Sequence, residues 1–377
     1  AVYAIYGEGD NNSNLDAYQL GFHKIQITGS NDKTNWTHIA YLDGGSIYQY
    51  LITKGDWDYK YIGIVSTSRN DTISEIGFKA AGEDRFLKAA VDTDSAAGSA
   101  YPASLVIDEQ DKLQVHPTYM DESYFDEIYH PRNAWEIANG EYMYASVHPL
   151  LGTSLIALSI RLFGMNPLAW RLPGAIFGVM LVPLFYAVAR LLFQKTGYAT
   201  LGAVLFASDF MHLTTSRIAT LEPFSVFWIL LMFYFMIRYF YSSFYDTPFR
   251  KQMMLLLLCG ITMGVGIATK WTACYSAVGL AILLFTNLGQ RTREFSKAKK
   301  ELQRTDLSIT ERDACEHIRR IYPDAMIRTI LWCCVFFLLI PAVIYDVSYM
   351  WTMVWRDGWS TQNVITQILY MYNYHTN

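Results

Sequence analysis

Hydrophobic and polar positions change their rhythm part-way along the chain. Between residues 19 and 81 the apolar positions come in short runs such as Phe22-His23-Lys24-Ile25-Gln26-Ile27, Tyr61-Ile62-Gly63-Ile64-Val65 and Ile73-Ser74-Glu75-Ile76-Gly77-Phe78. Turn residues separate them, among them Gly29-Ser30-Asn31-Asp32 and Gly44-Gly45. Short strands with this punctuation predict an all-β antiparallel sandwich over residues 1–82. Residues 83–118 read as a linker: Ser95-Ala96-Ala97-Gly98-Ser99-Ala100-Tyr101-Pro102 is rich in small residues and Asp108-Glu109-Gln110-Asp111 is acidic. Further on, the apolar runs lengthen. About 20 residues cross a bilayer core, and six segments suit that role, near 168–191, 197–213, 222–241, 252–269, 272–288 and 326–347. The apolar stretch 149–163 is too short to span and predicts an interfacial or re-entrant helix. The fold class that follows is an α-helical polytopic membrane protein preceded by a β-sandwich.

Charge divides the chain in the same way. Residues 1–146 carry 22 acidic and 10 basic side chains, whereas residues 147–377 carry 12 acidic and 20 basic. Neither part has the clustered basic face of a nucleic-acid binder. The five cysteines, at 259, 274, 315, 333 and 334, all lie in the apolar part, so the sandwich has no disulfide frame. No Cys/His spacing suggests zinc. Asn11, Asn35 and Asn70 head N-x-Ser/Thr tripeptides, a pattern frequent by chance. The chain begins at Ala1 without a Met and stops in an aromatic run, so we expect a piece of a longer protein with a membrane helix upstream.

The distribution of Lys and Arg orients the spans. If 149–163 does not cross, then Arg190, Lys195, Arg238, Arg250, Lys251 and the loop 289–325, with nine Lys/Arg, share the cytoplasmic side. The charged stretch 291–322 within that loop reads as a solvated helix or hairpin. The opposite side receives residues 1–167, an extracytoplasmic catalytic loop at 119–167, the polar positions Arg217, Glu222 and Lys270, and a tail from 348 that starts a further extracytoplasmic segment.

That extracytoplasmic side gathers Asp126, Glu127, His130, His148, Arg171, Arg217 and Glu222. Ionisable groups at membrane depth are expensive and mark functional sites. Arg offers a planar fork for phosphate, and a carboxylate suits a general base that takes a hydroxyl proton. Together they predict group transfer from a phosphate-linked lipid to a hydroxyl. Other polar positions have simpler readings. Asp121-Glu122 lacks the flanking Ile-Tyr-His context, Asp209 pairs with Arg217 or lines a cavity, and His212 is a core histidine. Lys270 snorkels to the interface, and Trp170, Trp228, Trp271 and Trp351 form interfacial belts. Gly260, Gly264 and Gly266 mark close helix packing.

Several of these segments, in order, resemble the protein O-mannosyltransferase family, within the wider GT-C group of lipid-phosphate-sugar-dependent glycosyltransferases that includes lipid A aminoarabinose transferases. They are Asp126-Glu127-Ile128-Tyr129-His130, Val147-His148-Pro149, Met165-Asn166-Pro167-Leu168-Ala169-Trp170-Arg171-Leu172-Pro173, Ser216-Arg217-Ile218-Ala219-Thr220-Leu221-Glu222-Pro223-Phe224 and Lys270-Trp271. The run Ile25–Asp32 with Trp36-Thr37, Tyr61-Ile62 and Glu75–Phe78 resembles a discoidin-like domain, as found ahead of the Asp-Glu loop in bacterial members. The resemblance implies Asp126 as catalytic base with Glu127 beside it. It implies His148 near the lipid phosphate or acceptor, Arg171 and Arg217 contacting the carrier phosphate or holding the loop, and His130 and Glu222 in substrate binding. It implies a polyprenyl-phosphate sugar donor, mannose first, a Ser/Thr protein acceptor, a multi-pass plasma-membrane location and an option to dimerise. A divalent ion, Mg or Mn, beside Asp126 and Glu222 is compatible with it and not required. Three departures from the family pattern stand out: Leu150 for its second Pro, Thr153 for its Lys, and Glu222 for its Asp. They keep open another lipid-phosphate sugar, a lipid acceptor, or a glycan-binding protein whose transferase site has decayed.

Overall fold

The computed structural model describes residues 2–7, 24–43, 50–66, 72–92, 102–143, 146–352 and 358–376. The Gly44-Gly45 turn, the Ser95–Tyr101 stretch and the Asn11 and Asn70 tripeptides lie outside the described residues. The chain forms two compact units, Ala1–Ile128 and Tyr129–Asn377.

The first unit is built from β1 (Val2–Gly7), β2 (Lys24–Ser30), β3 (Thr37–Asp43), β4 (Tyr50–Thr53), β5 (Tyr61–Ser66) and β6 (Thr72–Phe78). They make two three-stranded antiparallel sheets, ordered β4-β1-β6 and β3-β2-β5. Alternation sends Ile25, Ile27 and Leu42 inward from one sheet and Ile76 from the other, with Ile64 and Phe78 packed beside them. This is the sandwich that the period-two pattern predicts. The described parts of 83–118 fold onto it. Gln110 Nε2 donates to Glu75 Oε1 at 2.5 Å and to the Ile76 carbonyl at 2.6 Å, and the buried Leu113 and Phe86 close over Gly77 where any Cβ would collide with them. Burial raises the Glu75 carboxyl above its usual range.

The second unit is helical: α1 (His130–Asn139), α2 (Leu151–Phe163), α3 (Pro167–Phe193), α4 (Thr196–Ala207), α5 (Phe210–Ser216), α6 (Glu222–Phe240), α7 (Phe249–Thr269), α8 (Thr272–Glu301), α9 (Ile309–Cys334), α10 (Ile340–Val347) and α11 (Thr361–Thr376). Local rules place their ends. Asn166 caps α3, its side chain accepting from Ala169 N at 2.9 Å with Pro at the first helical position. Ser308 and Glu311 form a capping box at α9. The charged residues at the end of α8 and the start of α9 form the expected hairpin.

Five helices among the described residues are long and apolar enough to cross a membrane: α3, α6, α7, α8, and the continuous stretch Ile309–Val347 that contains α9 and α10. Large apolar side chains such as Val179, Leu331 and Leu338 stay exposed along them, as expected of a multi-pass protein facing lipid. The sixth predicted span, 197–213, is interrupted. Asp209 turns its carboxylate onto the His212 amide at 2.8 Å and starts a new helix, leaving pieces of 12 and 7 residues. The two pieces still return the chain along α3: Phe206 stacks on Phe185 at 4.6 Å, and Ser216 packs on Gly178. α2, with 13 residues, is about 20 Å long and falls short of a core of about 30 Å.

Gly260 and Gly264 on α7 meet the backbone at Phe336 and Pro341, beside a π-helical turn at Val335–Leu339. A Cβ at Gly260 would overlap the Phe336 carbonyl oxygen. We expect Gly260→Ala to destabilise the detergent-solubilised protein by about 1–3 kcal/mol in thermal or denaturant unfolding. Gly289→Ala, where nothing lies within 4 Å of the new Cβ, should leave stability equal or slightly higher.

Candidate active site

The expected site residues fall into both units. Asp126 and Glu127 occupy a 3-10 turn, Phe125–Ile128, at the end of the first unit. Phe125 enters it in the left-handed region, at φ 57°, which is uncommon for a bulky residue and costs conformational energy. Glu127 is buried and braces the turn: its carboxylate accepts from Tyr124 N at 3.2 Å, and its own amide donates to the Tyr124 carbonyl at 3.2 Å. Asp126 is half-buried. The alternative pair is engaged in loop structure. Asp121 accepts from the Thr118 amide and hydroxyl, and Glu122 from Tyr50 N.

The other five lie in the second unit, and three of them come together. Lys270, in the turn between α7 and α8, reaches Glu222 at the first position of α6, with Nζ to Oε1 at 2.5 Å. The second carboxylate oxygen of Glu222 is buried without a hydrogen-bond partner. His130, at the start of α1, and His148, ahead of α2, lie within electrostatic reach of both charges, their rings 6.3 Å apart. Burial holds both imidazoles neutral, lowering His130 to about 3 and His148 to about 4. The neighbouring Lys270 adds to this for both, and Glu222 opposes it. His130 Nδ1 is buried without a partner. Arg171 is buried in the second turn of α3, and Arg217 is exposed where α5 ends, near the same end of α3. Beside Glu222 opens a largely apolar cleft lined by Leu181, Phe206, Asp209, His212, Ser216 and Pro223.

Lys270 does not merely snorkel; it is half of the ion pair. Sequence reasoning also missed His375. Its ring stacks on His148 at 5.4 Å and sits 6.3 Å from Trp271. Trp271 itself donates to Tyr345 OH at 3.3 Å and packs against the core of the helical unit. Leu150 and Thr153, two of the departures, are buried packing positions of the second unit. The option of a divalent ion at Glu222 does not fit this donor set: one carboxylate oxygen is already held by an ammonium. Among the described residues no group of three His, Cys, Asp or Glu side chains could hold a metal.

Residues 165–305 match the family described as dolichyl-phosphate-mannose-protein mannosyltransferase. The match covers a little over a third of the chain. Similar relatives are named polyprenol-phosphate-mannose–protein mannosyltransferase. The one from Mycolicibacterium smegmatis is 26% identical over 214 residues, covering 51% of this chain and 42% of the relative. The one from Mycobacterium tuberculosis H37Rv is 26% identical over 217 residues, covering 50% and 39%. The chain thus spans about two fifths of the length of these relatives. Among solved structures, the S. cerevisiae Pmt1-Pmt2 complex bound to the sugar donor is similar at 19% identity and a TM-score of 0.47, covering 61% of this chain and 30% of that one. Glu222 and Lys270 both fall inside the segment of the family match.

Two outcomes follow from the cluster. Lys270→Met and Glu222→Gln should each destabilise the protein, and the double variant by clearly less than their sum, with a coupling of about 0.5–3 kcal/mol in a denaturant double-mutant cycle. The histidines set a pH dependence. Their folded values lie below the unfolded 6.5, so between about pH 6.5 and 4 the unfolded chain takes up protons that the folded one refuses. Stability should therefore fall as pH drops through that window, and His130→Gln should flatten the slope of melting temperature against pH.

Proposed function

We propose that this protein is an integral-membrane glycosyltransferase. It moves a hexose, mannose first, from a polyprenyl-phosphate carrier to Ser/Thr hydroxyls of exported proteins at the extracytoplasmic face of the cell membrane. The observation that carries this reading is the Lys270–Glu222 pair, which lies inside the segment that matches a mannosyltransferase family, with two histidines held neutral by burial beside it.

In this reading Asp126 removes the proton of the acceptor hydroxyl. The freed oxygen attacks the anomeric carbon, the bond from that carbon to the phosphate oxygen breaks, and polyprenyl phosphate leaves with the electron pair. A single displacement inverts the configuration. Charge grows on the phosphate as it leaves, and cations positioned for it lower the barrier. Lys270, Arg171 and Arg217 are the candidates for that role. His148 and His130, held neutral, offer hydrogen bonds to sugar or phosphate without adding charge. The apolar cleft beside Glu222 suits an isoprenoid chain. The discoidin-like sandwich acts as an accessory module.

Asp126→Asn should abolish transfer from radiolabelled polyprenyl-phosphate-mannose to a Ser/Thr-rich peptide in membranes, with the protein still folded. Wild-type turnover in that variant would remove Asp126 as the base. A folded wild-type protein that labels nothing from this donor, but does from another lipid-phosphate sugar, would move the donor assignment. No transfer from any such donor would support the decayed-site reading.

A further inference from the structure

The segment Ser146-Val147-His148-Pro149 carries one of the site histidines, yet it is neither helix nor strand. Little in its own backbone fixes where His148 points. Its fixation comes from α11, more than 200 residues further along the chain. Gln367 Nε2 donates to the Ser146 carbonyl and lies 3.0 Å from the Ser146 hydroxyl. His375 Nε2 lies 3.0 Å from the Val147 carbonyl, which can only accept, so that nitrogen carries the proton. The same ring stacks on His148 at 5.4 Å with an interplanar angle of 23°. Three consecutive residues of the segment are thus each gripped by one helix, at Gln367 and, two turns on, at His375.

The helix that grips is itself anchored. Val364, Gln367 and Met371 repeat on one buried face of α11, and Val364 and Met371 join the core cluster that includes Leu150, Ile156 and Leu221. In that cluster Leu150 follows His148 by two residues and Leu221 immediately precedes Glu222. One face of α11 is therefore packed on the same core as the site.

We propose that Gln367 and His375 are positioning residues for His148. They hold its segment at a fixed distance from the Lys270–Glu222 pair, and without them the site is assembled but loose. This rests on the transferase reading given above. Misplacing a substrate-facing group by about 1 Å can cost on the order of 100-fold in turnover. A group that acts only on position should lower kcat more than it raises the donor KM.

The test uses the full chain in membranes or detergent with three variants, His375→Ala, His375→Gln and Gln367→Leu. Gln places an N–H near the position of His Nε2, so His375→Gln can restore the bond to Val147 without the stacked ring. Steady-state transfer from polyprenyl-phosphate-mannose should show kcat reduced about 10- to 100-fold in His375→Ala and Gln367→Leu. Donor KM should stay within about twofold, and His375→Gln should recover most of the loss. Equal loss in His375→Gln and His375→Ala, or a rise in KM with kcat kept, would overturn the proposal. Hydrogen exchange of peptides covering 146–152 is read in parallel. Faster exchange there in His375→Ala and Gln367→Leu, with exchange in α7 unchanged, is expected; unchanged exchange in 146–152 overturns the clamp whether or not the donor is the right one. A wild-type chain that transfers no sugar while the exchange result holds would instead count against the transferase reading alone.

Discussion

The Lys270–Glu222 ion pair is the constraint on which the helical unit turns. Both partners lie at helix ends, α7 and α6, and both are half-buried. Each charge is partly shielded from water, so losing either partner leaves the other incompletely compensated. Together they lock the start of α6 to the turn that opens α8. Ser225 and Thr272 repeat that link one turn deeper, with a hydroxyl contact of 2.8 Å. Around this fixed point the remaining site groups take their places. The second oxygen of Glu222 has no hydrogen-bond partner, and burial keeps the two nearby histidines from charging.

Close packing at the other side of α7 makes that fixed point rigid. Gly260 and Gly264 let α7 approach the π-helical turn and Pro341 more closely than any side chain would allow. The extra residue of a π turn shifts the register of the helix that follows. α10 then delivers Tyr345 to Trp271 and Tyr349, and the aromatic hydrogen bonds run from the ion-pair turn into the core. Sequence, packing and site are connected here by one helix face.

Much of this was legible in the sequence wherever a local pattern decides the outcome. β2, β5 and β6 follow from alternation at Ile25-Gln26-Ile27, Ile62-Gly63-Ile64 and Glu75-Ile76-Gly77. The long helices follow from apolar length, and α3 starts at an Asn-Pro signal that any capping rule would find. What escaped depends on partners distant in the chain. Hydropathy cannot see Asp209 capping a new helix inside an apolar run, because the cap is a side-chain choice among polar neighbours. Lys270 and Glu222 lie 48 positions apart, and His375 lies 228 from Val147. A spacing rule has no reach over such intervals. The one signal available for Lys270 was its charge of opposite sign at the same predicted membrane face as Glu222. The acidic stretch 108–111 looked like a linker because the buried Glu75 that it satisfies sits on a strand facing the sandwich edge.

The most direct measurement is photo-crosslinking of a diazirine-bearing polyprenyl-phosphate hexose to the protein in native membranes, with the labelled peptides mapped. The account predicts saturable labelling, competed by unmodified carrier, on peptides that contain Arg171, Arg217–Glu222 and Lys270. Saturable labelling confined to the α8–α9 hairpin, or none that the carrier competes, would contradict it.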